Sequence, residues 1–132
     1  MYTHVRKASP RAEYRDKQAR RVTAAPTLAE KYGKLKALTV NVGYYAPGGE
    51  KPQRQLTYDV NLGHAKSIFR LDCSNRDCVR GDHDLTDELA EAITKRSKKV
   101  EGEQCCPGWL NKDNINKAKC NHVIRYQFKL AY

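Results

Sequence analysis

Apolar and polar residues alternate strictly in two stretches separated by a turn. Leu38, Val40, Val42 and Tyr44 fall on one side, with Thr39, Asn41 and Gly43 on the other. This is the two-residue period of a strand with one buried face. Leu56, Tyr58, Val60 and Leu62 repeat the pattern against Thr57, Asp59 and Asn61. The intervening Ala46-Pro47-Gly48-Gly49-Glu50 is turn chemistry, so the two stretches read as a hairpin with a long loop. The Gly48-Gly49 pair lacks the Lys-Ser/Thr and the following helix of a phosphate-binding loop. The longest alternation is carboxyl-terminal: His122, Ile124, Tyr126, Phe128, Leu130 and Tyr132 against Val123, Arg125, Gln127 and Lys129. Its length places it centrally in the sheet. Residues 67–72 and 100–104 read as two further short strands.

Helical periods appear in three places. Leu85, Leu89, Ala92 and Ile93 share one face of a helix over residues 85–97, with Asp84 as its N-cap. Lys95, Arg96, Lys98 and Lys99 at its end complement the helix dipole or meet phosphate. Thr27-Leu28-Ala29-Glu30 has the spacing of a capping box, and Gly33 ends that short helix. Residues 11–22 contain no breaker, Ser9-Pro10 is a plausible start, and Tyr14 and Val22 are the main apolar positions. A helix so poor in apolar residues has little reason to pack on its own body. The expected fold is α+β: a mostly antiparallel sheet of about five strands, one main amphipathic helix, a zinc-stapled edge and a basic amino-terminal arm.

Charge divides the chain of 132 residues into two parts. The formal net charge is +10, and residues 1–36 contain ten Lys and Arg against three acids. We therefore expect an arm over residues 1–36, partly helical, and a zinc-binding domain over 37–132. A basic arm favours a polyanion, with nucleic acid the commonest, although a solvated tail has the same composition. No apolar run approaches the ~20 residues of a membrane span, and an apolar signal-peptide core is lacking. The Arg-rich start suits a mitochondrial presequence except for Glu13 and Asp16, so a reducing, cytoplasmic setting is expected, in which cysteines read as metal ligands before disulfides.

The five cysteines supply the clearest chemistry. Cys73 and Cys78 are separated by four residues, the upper end of the spacing of paired zinc ligands. Cys106 and Cys120 complete a tetrahedral set if the loop between them folds back. Of the adjacent Cys105 and Cys106, the Cys-Pro-Gly turn favours Cys106, because it offers backbone amides to the thiolate. His122 is the reserve ligand, ahead of His83 and His64. A closed shell of four thiolates is structural, without a position for a small-molecule substrate.

These four cysteines and the basic arm resemble small bacterial zinc-ribbon and treble-clef proteins, including zinc-bearing ribosomal proteins with basic extensions. The chain differs from them in its wider ligand gaps. The resemblance implies a zinc-stabilised, ribosome-associated type of module that contacts RNA or a ribonucleoprotein. In this reading the nucleic-acid contacts are Arg6, Lys7, Arg11, Arg15, Lys17, Arg20 and Arg21 on the arm, with Trp109, Lys112, Lys117 and Lys119 beside the metal. Trp109 either stacks on bases or covers the metal. An assembly module that threads its arm into a protein complex is the alternative. Asp82-His83-Asp84 is better explained by helix capping than by catalysis, and no nucleophile–base arrangement is legible, so no enzyme is expected.

Overall fold

The carboxyl-terminal alternation becomes the strand around which the sheet is built. In the computed structural model, which describes residues 10–75, 77–110 and 119–132, the order is helix α1 (Pro10–Ala24), helix α2 (Leu28–Lys31), strands β1 (Ala37–Tyr45), β2 (Arg54–Asp59), β3 (Arg70–Asp72), β4 (Cys78–Val79) and β5 (Asp82–Asp84), helix α3 (Thr86–Thr94), then β6 (Lys99–Cys105), β7 (Trp109–Leu110) and β8 (Val123–Ala131). The main sheet is antiparallel, with strand order β2-β1-β8-β6. The fold is therefore α+β.

Register explains the core. Phe128 on β8 stands opposite Val40 on β1 and Val100 on β6, and Val42 stands opposite Tyr126. Because side chains alternate across a strand, this aligns Ile124, Tyr126, Phe128 and Leu130 with Leu38, Val40, Val42 and Tyr44 on one face. Leu89, Ala92 and Ile93 of α3 and Leu28 of α2 join the same buried cluster. Phe69 meets Phe128 edge-on at 5.8 Å between ring centroids. Phe128 is fully buried, and its truncation to Ala would cost about 3–5 kcal/mol.

The start of α2 follows the expected capping chemistry. The Thr27 hydroxyl accepts from the Glu30 N–H at 3.1 Å, and the Glu30 carboxylate accepts from the Thr27 N–H at 3.2 Å. Asp84 does not take the expected N-cap place of α3: Leu85 holds it without a side-chain cap, and Asp84, one residue earlier, accepts from the Thr86 N–H at 3.0 Å.

Three expectations are revised. The main sheet has four strands rather than five. The strand expected over 67–72 shortens to β3 and pairs with β5 in a separate ribbon. Its upstream amides are committed elsewhere: Ser67 N–H donates to Pro26 O and Phe69 N–H to the Thr86 hydroxyl. Second, Leu28 and Leu35, assigned by composition to the arm, lie in the core at 0% and 5% exposure. Third, α1 lies against the body despite its few apolar residues. Tyr14, Gln18 and Val22 are half-buried on its inner side. Arg15 pairs with Asp72 at 3.0 Å and Arg21 with Asp84 at 3.4 Å. Polar pairing with the β3–β5 ribbon substitutes for the missing hydrophobic stripe. Ser9 lies outside the described residues.

Candidate metal centre

Four cysteines far apart in sequence converge where the short ribbons meet the end of the main sheet. The Sγ atoms of Cys73, Cys78, Cys106 and Cys120 all lie within 4.8 Å of one another. Cys73 and Cys120 are 3.5 Å apart at sulfur, as are Cys78 and Cys106. A tetrahedral shell with metal–sulfur bonds of about 2.3 Å has sulfur–sulfur edges of about 3.8 Å, so the cluster has the size of such a shell. All four side chains are buried, with exposures of 2–6%.

Local backbone chemistry builds each half. After β3, the Asn75 side chain accepts from the Asp77 N–H at 3.0 Å, and its carbonyl accepts from the Cys78 N–H at 3.2 Å. This tight turn brings Cys78 back beside Cys73. The second half extends the β6–β8 ladder beyond the sheet. Cys105 pairs with Val123, Cys106 N–H donates to His122 O at 2.7 Å, and Cys120 N–H donates to Gly108 O at 2.9 Å. The ladder thus closes the wide sequence separation of Cys106 and Cys120, and β4 pairs with β7 to hold the halves together.

Donors around the sulfurs are matched between the halves. Asn75 N–H donates to Cys73 Sγ at 3.5 Å and Gly108 N–H to Cys106 Sγ at 3.4 Å, each from two residues downstream. The Asn75 amide also donates to Cys120 Sγ at 3.6 Å, linking the halves. Such donors spread thiolate charge and orient the ligands. Gly81 and Gly108 line the sulfurs so closely that side chains are excluded. A Cβ on Gly81 would lie 2.5 Å from Cys106 Sγ, and one on Gly108 would lie 2.6 Å from Cys78 Sγ.

The Cys73 and Cys78 thiols resist ionisation on their own. Burial pushes the Cys78 thiol up to about 12. The Cys106 thiol, through hydrogen bonding, and then burial push Cys73 above the ordinary thiol range. A cation that replaces those protons relieves this, so the donor set fits a thiolate-bound metal ion whose uptake releases protons. Four thiolates from one chain would complete the tetrahedral shell of such an ion.

Of the adjacent pair, Cys106 enters the cluster and Cys105 is exposed. His122 is a neighbour of the cluster, its Nδ1 3.5 Å from Cys120 Sγ and 3.2 Å from Cys120 O. His64 lies exposed on the turn after β2. His83 is buried on β5, and neither of its ring nitrogens has a hydrogen-bond partner among the described residues.

The expected nucleic-acid residues separate into groups. Arg6, Lys7, Lys112 and Lys117 lie outside the described residues. Arg15 and Arg21 are engaged with carboxylates of the body, and Arg11 is half-buried. Lys17 and Arg20 are exposed on α1 together with Glu13 and Asp16, so the exposed charges of the helix are balanced. Trp109 and Lys119 form a β-bridge beside the cysteine cluster. Arg80, which sequence reading missed, places its guanidinium 5.6 Å from the Trp109 ring centroid. Arg80 adopts a left-handed backbone with φ 53°, uncommon for a side chain of this size. Its place two residues after Cys78, before a glycine, was the only available signal. Arg80 also shares a 260 Å³ cleft with Glu13, Tyr14 and Lys17 of α1.

A second charge network joins α1 to this region. Arg70 and Asp82 pair at 2.8 Å, both about nine-tenths buried, and Arg70 also meets Asp72 at 3.1 Å. Arg15 reaches the other oxygen of Asp72. The helix is thus tied through Asp72 to the strand that delivers Cys73, and through Asp84 to β5. No described helix is long and apolar enough to cross a membrane. No family model, curated protein or solved structure matches the chain.

Proposed function

We propose that this chain is a non-enzymatic zinc protein that binds single-stranded RNA or a ribonucleoprotein through an aromatic and basic surface held by the metal centre. Zinc is the ion favoured by a tetrahedral, all-sulfur, closed shell with a shape-holding role. The observation that carries the RNA reading is the grouping of Arg80, Trp109 and Lys119 on the ribbon anchored by Cys78 and Cys106. An indole ring stacks on any base, and adjacent cations meet the phosphates. Lys17 shares the α1 cleft with Arg80 and Glu13. This moves the main contact from the arm to the metal ribbon, because two of the arm's arginines already face aspartates.

The test is a titration of the zinc-loaded full chain with a single-stranded RNA oligonucleotide across salt concentrations. Trp109→Ala should weaken binding by about 1–3 kcal/mol. Salt-independent binding, or wild-type affinity in that variant, would overturn the reading. An assembly role draws on β2, an edge strand whose Tyr58 is 36% exposed. Protein partners that survive nuclease treatment would favour it.

A further inference from the structure

On a different side of the molecule, the end of α2 and the end of α3 border an open cleft of about 300 Å³. Its apolar lining comes from Tyr32, Ile93 and Tyr132, and its cations are Lys31, Lys34 and Arg96. No Asp or Glu lines it among the described residues. The nearby acids are occupied: Glu30 closes the capping box with Thr27, and Glu91 pairs with Lys95 at 2.6 Å. None of the three lining cations has an ion-pair partner among the described residues. Lys31 instead lies 5.5 Å from the Tyr32 ring centroid. The Tyr132 ring is fixed by its hydroxyl, which lies 2.9 Å from Ser97 O and 3.2 Å from Ala92 O.

Arg96 adds an independent observation. Helix α3 ends in a doubly hydrogen-bonded turn, with Ser97 N–H donating to Ala92 O at 2.9 Å and Arg96 N–H to Ile93 O at 3.0 Å. The residue after the cap in this motif takes a left-handed backbone and is usually glycine. Here it is Arg96, with φ 52°. A side chain held where its absence would be easier points to a use for that side chain.

We propose that this cleft binds a small anion with a flat apolar body. The body seats against Tyr32, Ile93 and Tyr132, while its phosphate or carboxylate meets Lys31, Lys34 and Arg96. The volume suits one aromatic ring with its anionic group, near the lower limit of small-molecule sites. The cleft is separate from the Trp109 surface, so Trp109→Ala leaves this binding unchanged.

Isotope-labelled, zinc-loaded full chain is titrated with phenyl phosphate, benzoate, inorganic phosphate and phenol, and amide shifts are followed by NMR. Phenyl phosphate or benzoate should move the amides of residues 31–35 and 93–96. The better of the two should bind at least about tenfold tighter than inorganic phosphate or phenol. Preference for phenyl phosphate assigns the anionic group to phosphate, and preference for benzoate assigns it to carboxylate. Arg96→Gly should melt at a higher temperature than the wild type while binding at least about fivefold more weakly. This opposition cannot arise from misfolding. Lys34→Glu should weaken binding without loss of fold. Absence of shifts at these amides with both aromatic anions, or undiminished affinity in Arg96→Gly and Lys34→Glu, would overturn the proposal.

Discussion

The α-carbons of Gly81 and Gly108 pack against each other beside the Cys78 sulfur. A Cβ on Gly108 would fall 2.6 Å from the Gly81 Cα and 2.7 Å from the Val79 carbonyl oxygen. These obstacles are backbone, which cannot swing aside. Gly108→Ala is therefore expected to weaken metal affinity by about 10–100-fold, the usual effect of disturbing the groups that position ligands. Competition against a chromophoric chelator measures it. Unchanged affinity would mean that the glycine packing plays no part in shaping the centre.

Arg80 offers a separation of stability from binding. Replacing it with glycine relieves a left-handed backbone but removes the cation from the Trp109 ring. The two effects oppose each other, and stability should change by less than about 1 kcal/mol. RNA affinity should nevertheless fall, with the salt dependence reduced by about 0.7 in log–log slope for one lost phosphate contact. Denaturant melts and titrations at several salt concentrations give both values.

The charge network should fail unevenly. Asp82 and Arg70 are buried together, so Asp82→Ala leaves a buried cation with Asp72 as its remaining partner and should cost about 2–3 kcal/mol, short of the full loss of a buried pair. The Arg15–Asp72 pair is about half exposed on both sides, and its loss should cost at most about 1 kcal/mol. Even so, Asp72→Ala should raise hydrogen exchange along α1, because that helix has few apolar contacts to hold it. Equal effects of the two substitutions would contradict the assigned roles.

Acid should destabilise the fold through His83. Burial holds its imidazolium off and lowers its pKa to about 4, while Asp82 only partly offsets this and His122 adds to it. In the unfolded chain the ring protonates near its ordinary value of about 6.5, so the unfolded state binds the proton first as pH falls. Stability present above that value is lost on the way down to about 4, by at most about 3 kcal/mol. Urea melts of metal-loaded protein at neutral and mildly acidic pH check this. His83→Gln should lose less stability over the interval than the wild type.

The parts of the fold written in long periods were legible in the sequence. Nine-residue strands β1 and β8 show enough alternation to reveal their buried faces, and Thr27 and Glu30 announce a cap through hydrogen-bonding chemistry alone. The ribbons β3–β5 and β4–β7 are two or three residues long, too short to show any period. Spacing was enough to nominate Cys73 and Cys78. The meeting of Cys106 and Cys120 depends on the β6–β8 register, which pairing sets. Asn75, Arg80 and Gly81 act through a side-chain bridge, a ring contact and a close approach, none of which leaves a mark in composition. The docking of α1 was missed because it uses aspartates on another element in place of an apolar stripe.

The central claim is that a metal ion gathered by Cys73, Cys78, Cys106 and Cys120 holds this chain in shape. Metal analysis of the purified full chain, coupled to circular dichroism during chelation, tests it most directly. The account predicts about one zinc ion per chain and loss of structure as the chelator removes it. A folded chain that contains no metal, and whose structure is indifferent to chelation, would contradict it.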